Sequence, residues 1–309
     1  MPVVIDFHVH AWPGKAIYEG WLGQLRKQGR RWWKPVSSSM HSMQTFVRHL
    51  PEPARRRLDE LGSLTPIPGL LLESTIGDLI HAMQKSGVDR AVLIAHPPFI
   101  SNDFVIEACR TYPELVPVVN ITRDTLRPAV TLKAMVKRGA KALKIHTAAD
   151  GEGPDSPRYN LLLKTAAELN LPVILHTGCI HSHVLYKQPQ LGNAELFKPW
   201  FKEFRELRFI LAHMNYHEPE IAFDLAEEHF NLYMDTSWQP AEVIGEAVRR
   251  IGADRVLFGT DWPYVGGNLA VGLGRIRECL EAGTLNQDQA RAILGENAAK
   301  LLGIDLHAA

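Results

Sequence analysis

Cysteine is scarce: the 309 residues hold three, Cys109, Cys179 and Cys279, far apart and without a CxxC pair. That spacing excludes a disulfide framework and points to a reducing compartment. Excess charge of either sign is also missing. Lys plus Arg and Asp plus Glu both total 34, which removes the electrostatic footprint of a nucleic-acid or anionic-membrane binder and leaves a small molecule as the expected partner. No apolar run approaches the ~18 residues of a membrane span, the opening MPVVIDFHVH does not read as a secretory leader, and no GxGxxG fingerprint marks a dinucleotide site. The expectation is a cytoplasmic protein without a membrane partner. Internal repeats, low-complexity runs and flexible linkers are absent too, so residues 1–309 read as one domain; a homo-oligomer remains open, and no sequence feature sets its number.

What the chain does have is 46% hydrophobic residues, enough for a sizeable core. Short β-branched runs recur at 3–10, 90–96, 116–121, 140–147, 171–178, 208–214, 231–237 and 255–261. Most are continuously apolar, as parallel strands covered on both faces require. Between them lie helix-spaced segments with recognisable ends, such as 75–87 closing on Gly87 and 101–113 opening on Ser101. Eight strands, each followed by a helix, predict an α/β fold, a (β/α)8 TIM barrel. Two stretches exceed that pattern. Residues 12–74, basic-rich and carrying GRRWWKP, are too long for a βα loop and read as a covering insertion after the first strand. Residues 285–303 read as a loop and an extra C-terminal helix packed outside the barrel.

Strand alternation puts Asp6, His8 and His10 on one face of the first strand. A lone HxH is a weak pattern, and a single strand-end histidine is more often structural. The others change that weighting: of fourteen histidines, His96, His146, His176 and His213 also fall at strand ends, with Asp261 at the end of the last strand. Barrel enzymes build their sites at that end of the strands, and imidazoles with a carboxylate suit Zn²⁺ or a similar divalent ion. Lys144 shares parity with His146 in an otherwise apolar strand, where an isolated ammonium is costly. It is read first as the partner of a carboxylate such as Asp6 or Asp261, and second as a carbamylated bridge between two metals. His181 and His183 read as loop residues near a pocket, and Cys179 as incidental rather than nucleophilic.

Taken in order, DFHVH, ALKIHT, VILHTG, LAHMN, FGTDWPY and AILGENAAKLLG resemble the amidohydrolase superfamily, in particular the amidohydrolase-related branch of metal-dependent hydrolases and aminocarboxymuconate semialdehyde decarboxylase-like enzymes. The resemblance implies His8, His10, His176 and Asp261 as metal ligands, Asp261 and His213 as catalytic groups, and Lys144 as a second-metal ligand or charge partner. It implies one divalent ion rather than two, zinc foremost. The leading expectation is a hydrolase that activates water for attack on an amide, ester or lactone carbonyl. The alternative is a non-oxidative decarboxylase of an aromatic or unsaturated acid, with Trp32 or Trp33 stacking on a ring, Arg30, Arg31, Arg48 or Arg55 clamping a carboxylate, and His146 lining the pocket. A non-catalytic metal-binding barrel ranks last, because no cysteine joins the cluster.

Overall fold

The computed structural model describes residues 3–14, 46–62, 73–180, 186–264 and 269–306. Eight parallel strands run in sequence order through one sheet: β1 Ile5–Val9, β2 Arg90–Ile94, β3 Leu115–Asn120, β4 Ala142–Ile145, β5 Val173–Gly178, β6 Phe209–Tyr216, β7 Leu232–Asp235 and β8 Val256–Leu257. The sheet closes on itself. Phe7 donates its N–H to the Phe258 carbonyl, Asp261 to His8 and His10 to Trp262, each at 2.7 Å. Strand β8 is short; beyond Leu257 the chain meets β1 through these single backbone bonds and through Thr260, whose N–H and hydroxyl donate to the Asp6 carboxylate. The predicted TIM barrel is the fold observed.

Twelve α-helical elements lie among the described residues: α1 Glu52–Gly62, α2 Ile76–Ser86, α3 Asn102–Thr111, α4 Pro128–Lys137, the single turn α5 Thr147–Asp150, α6 Pro157–Glu168, α7 Lys198–Glu203, α8 Pro219–Glu228, α9 Ala241–Ile251, α10 Leu269–Glu281, α11 Gln287–Arg291 and α12 Asn297–Leu302. Their ends follow local chemistry. Thr75 and Asp78 form a reciprocal capping box on α2, which stops at Gly87 in the left-handed region (φ 74°); Ser101 caps α3 through the Phe104 N–H. The stretch 194–207 reads as one helix by spacing but splits into a 3₁₀ turn, Ala194–Phe197, and α7. Pro199 lacks the N–H that would continue the first turn, so the helix restarts there. The tail likewise divides into α11, a π turn at Ala292–Glu296, and α12.

The largest apolar cluster packs the outer faces of β3 to β8 under the helices, and a second joins residues of β1 to β6 and β8 to Ala298, Ala299, Leu301 and Leu302 of α12. Burial on both sides explains why the strands read as unbroken apolar runs. Gly178 ends β5 at φ 109°, where a Cβ would lie 2.6 Å from the Tyr216 nitrogen; only glycine lets β5 and β6 approach there. Between β1 and α2, the described residues include α1. Asp59 meets His217 at 2.9 Å, and Arg55 reaches the His217 carbonyl at 3.3 Å and Glu218 at 3.4 Å. These bonds fasten α1 to the loop that leaves the carboxyl end of β6.

Candidate metal centre

The carboxyl ends of β1, β2, β4, β5, β6 and β8 surround a cavity lined by His8, His10, His96, Lys144, His146, His176, His213 and Asp261, with Tyr186, Trp238 and Tyr264 at its sides. Space for water-sized groups inside it is about 50 Å³. That holds an ion and a water or two, or the reacting end of a larger molecule.

Hydrogen bonds decide which ring nitrogens face this space. The His10 Nδ1 lies 2.9 Å from the Ile94 carbonyl, which can only accept. The His8 Nδ1 lies 2.8 Å from Asp235 Oδ2. A neutral imidazole that donates through Nδ1 keeps its lone pair at Nε2. Both Nε2 atoms turn toward Asp261 Oδ1, at 3.5 Å from His8 and 3.3 Å from His10, and that oxygen receives no hydrogen bond among the described residues. The other oxygen, Oδ2, accepts the Trp238 indole N–H at 2.7 Å. Three acceptor lone pairs thus face one another with no proton between them. Left alone they repel; a divalent cation satisfies all three. The side chains present fit such an ion.

His8, His10 and Asp261 place donor atoms within 4.8 Å of one another. His176 lines the same cavity with a buried Nε2 that has no hydrogen-bond partner among the described residues; its ring stacks on His146 at 3.9 Å, but it is not within that radius. A second grouping, His8, His213 and Asp235, is explained by hydrogen bonds instead. Asp235 accepts from His8, from the backbone N–H groups of His213 and Ser237 at 3.1 Å, and from the Ser237 hydroxyl. Sequence reading assigned Asp235, Ser237 and Trp238 no role. The signal for Asp235 was present: an acid in an apolar strand, like Lys144.

Burial disfavours the charged form of five of the cavity histidines. Burial lowers His213 and His96 to about 3, with Asp261 opposing the shift in both; burial likewise pushes His8 down and His146 and His176 well down. Burial alone would raise Asp235 and Asp261, but the adjacent imidazoles, His8 foremost, hold both carboxyls below the usual range, helped at Asp235 by the hydrogen bonds it accepts from His8 and Ser237. The Lys144 ammonium falls from 10.5 to about 8 through burial, while Asp235 and Asp261 limit the fall.

Three expectations need correction. Asp6 does not pair with Lys144: it accepts from Thr260 Oγ1 at 2.6 Å, Thr260 N–H at 3.0 Å and His8 N–H at 3.1 Å, joining β1 to β8. Asp261 does not pair with it at contact distance either, and Lys144 Nζ is buried with no hydrogen-bond partner among the described residues. Arg48 and Arg55 are engaged outside the cavity, Arg48 near Glu220 and Glu242 and Arg55 on Glu218. Arg30, Arg31, Trp32, Trp33, His181 and His183 fall outside the described residues. Cys179 does not line the cavity, and burial pushes its thiol up to about 11, which disfavours the thiolate.

Structural comparison places the same architecture in several proteins. An uncharacterised TIM-barrel protein from Bordetella bronchiseptica aligns with 97% of this chain and 98% of its own, at 18% identity and a TM-score of 0.68. A 5-carboxyvanillate decarboxylase from Sphingomonas paucimobilis aligns over 99% and 100%, at 14% identity and a TM-score of 0.66. A probable 2-pyrone-4,6-dicarboxylic acid hydrolase from Acinetobacter baumannii aligns over 97% and 99%, at 14% identity and a TM-score of 0.58. At such identities the likeness is one of fold. No curated protein matches by sequence. No helix among the described residues is long and apolar enough to cross a membrane. The family model described as Amidohydrolase matches residues 5–304, and the chain belongs to that family of enzymes.

Proposed function

We propose that this protein is a cytoplasmic hydrolase that uses one divalent ion, zinc foremost, to open an amide, ester or lactone of a small carboxylate-bearing molecule. The convergence of His8 Nε2, His10 Nε2 and Asp261 Oδ1 carries the reading. Those three side chains would hold the ion, with His176 the next donor at hand. When bound, it supplies Lewis acidity to a carbonyl and to water.

The chain's own groups supply the proton handling. Trp238 fixes one oxygen of Asp261 and leaves Oδ1 to take the proton of the attacking water and return it to the leaving group. Lys144 Nζ, a buried donor without a partner among the described residues, steadies the charge that develops on the carbonyl oxygen. His213 has its Nδ1 2.7 Å from Ser237 Oγ; with the ring hydrogen on that nitrogen, it donates toward the cavity only after it has taken a proton. An ammonium at Lys144 also disfavours a second cation, which supports one ion over two. A groove of about 450 Å³ shares His96 and Tyr186 with the cavity and carries Arg123 and Lys187. Asp124 and Asp150 line it too and hold Arg123, so Lys187 is the cation it offers the carboxylate-bearing body of a substrate whose reacting end alone enters the cavity.

The second reading is a non-oxidative decarboxylase. The flat aromatic walls favour it: Tyr264 lies edge-on to His10 at 5.5 Å, and Trp238 to His213 at 5.9 Å. The metal-loaded enzyme, given a panel of lactones, esters and aromatic acids, separates the two. Acid release without CO₂ supports the hydrolase. CO₂ release from an intact aromatic acid replaces it with the decarboxylase. Turnover that survives complete chelation overturns both.

A further inference from the structure

One carboxylate on β7 reaches two neighbouring histidines of the cavity, His8 and His213, whose rings stack at 4.9 Å. Asp235 is fully buried. Its Oδ1 receives two backbone N–H groups, from His213 and Ser237, each at 3.1 Å. A backbone N–H can only donate, so Oδ1 acts as an acceptor and cannot carry a proton of its own. The Ser237 hydroxyl, also against Oδ1, must therefore be the donor in that contact. Its hydrogen is then committed. What Ser237 offers the His213 Nδ1, 2.7 Å away, is a lone pair, and His213 must place its hydrogen on Nδ1. On the other side, Oδ2 faces the His8 Nδ1 at 2.8 Å; the three donors gathered on Oδ1 favour the carboxylate form, so Oδ2 accepts as well and the hydrogen lies on Nδ1.

We propose that Asp235 and Ser237 are positioning residues that lock the tautomers of His8 and His213, so that both rings present an Nε2 lone pair to the cavity. The assignment rests on the metal-centre reading for its purpose but not for its test. Neither residue touches the space where substrate reacts: Asp235 and Ser237 are absent from the cavity wall. Each acts through a ring. Carboxylate-held histidines are stiffer and more basic ligands, and the loss of such a partner typically weakens metal binding by 10–100-fold. Here the partner serves a ligand, His8, and a neighbouring proton acceptor, His213, through separate oxygens. The two locks are therefore separable.

The separation gives the test. In Asp235→Asn the two backbone donors keep the amide oxygen at the Oδ1 position and turn the amide NH₂ toward His8. His8 must then accept at Nδ1 and carry its hydrogen on Nε2, whereas His213 stays locked. In Ser237→Ala only His213 is released, and Ser237→Thr restores the hydroxyl. Nitrogen-15 NMR of the full-length, chelator-treated chain reads both tautomers directly, with His8→Gln and His213→Gln spectra for assignment. The expected result is an Nε2–H His8 in Asp235→Asn with His213 unchanged. In Ser237→Ala, His213 shifts toward the Nε2–H form while His8 is unchanged, and Ser237→Thr reverses this. Zn²⁺ titration should show a 10–100-fold weaker site in Asp235→Asn. Ser237→Ala, whose small truncation keeps the fold, overturns the proposal if His213 retains its Nδ1–H. Asp235→Asn overturns it if both rings, or neither, change. Tautomers that move as described in a protein with no hydrolytic turnover would reject the hydrolase and leave the locks standing.

Discussion

Replacing Lys144 by methionine should make the metal-free protein more stable while abolishing its activity. The Lys144 side chain is 3% exposed, lies on β4 among the cavity histidines, and its Nζ has no hydrogen-bond partner among the described residues. Burial lowers the ammonium from 10.5 to about 8, against the pull of Asp235 and Asp261. The gap of about 2.5 in pKa, at ~1.4 kcal/mol each, corresponds to a penalty of about 3 kcal/mol. Its sign follows from linkage: the unfolded chain binds this proton more tightly than the folded one. The penalty is thus fully expressed below pH 8, shrinks between 8 and 10.5, and is gone above 10.5. Methionine matches the length of lysine without the charge and fills the same space.

Urea denaturation of the chelator-treated proteins measures the difference. Lys144→Met should be more stable by about 3 kcal/mol at pH 7 and by roughly half of that near pH 9.5, with an unchanged denaturant slope. Its turnover, measured after metal loading, should fall by about 10²-fold or more, the usual scale for losing one oxyanion donor. A variant that is less stable at pH 7, or a difference that does not move with pH, would refute the account of Lys144 as a charge held in place for function.

Asp261→Asn should remove the proton acceptor and one ligand together, lowering turnover by roughly 10²–10⁴-fold and the metal content of the purified protein, read by elemental analysis. Gly259→Ala places a Cβ 3.1 Å from the His8 Cβ and 3.2 Å from the Asp235 Cβ; overpacking there should cost about 1–3 kcal/mol in thermal or chemical denaturation. The metal-free protein should lose stability as pH falls from 6.5 toward 3. His96 and His213 ionise only near pH 3 in the folded state but near 6.5 when unfolded; acid therefore favours the unfolded chain, and a flat urea midpoint across that range would contradict their burial as neutral rings.

The barrel was legible because its strands must be apolar on both faces. Runs such as RAVLIAH and LPVILHTG leave little else for a parallel strand to be, and Gly87 and Ser101 mark helix ends through local chemistry. Charged or polar residues at the carboxyl ends of such strands stood out for the same reason, which is how His8, His10, His176, Lys144 and Asp261 were found. What sequence could not supply was the pairing across the barrel. Alternation says that Asp6 and Lys144 both point inward, but it is the β1–β8 closure that gives Asp6 to Thr260 and leaves Lys144 without a hydrogen-bond partner among the described residues. Arg48 and Arg55 failed as carboxylate clamps on similar grounds, since their acidic partners come from Glu218, Glu220 and Glu242, more than 150 residues away.

Trp238 shows a different limit, one of backbone rather than pairing. His213, Met214 and Asn215 run at φ of 62°, 48° and 54°, Trp238 at 67° and Asp261 at 59°. Side-chain-bearing residues rarely adopt this region, and no parity rule predicts where their side chains point. At Trp238 the left-handed turn brings the indole N–H to Asp261 Oδ2. At Asp261 it turns the free Oδ1 toward the His8 and His10 nitrogens. Of the three acceptors that converge on one point, the one from Asp261 is set by a backbone that leaves its preferred conformation, while His8 stays in strand β1. Regular β geometry would have kept these side chains on alternating faces. The departure at Asp261 aims its free oxygen at the two imidazoles, and hydrogen bonds hold the strained segments: Trp238 donates to Asp261, Gln239 donates to the His213 carbonyl, and the His213 Nδ1 rests on the Ser237 hydroxyl.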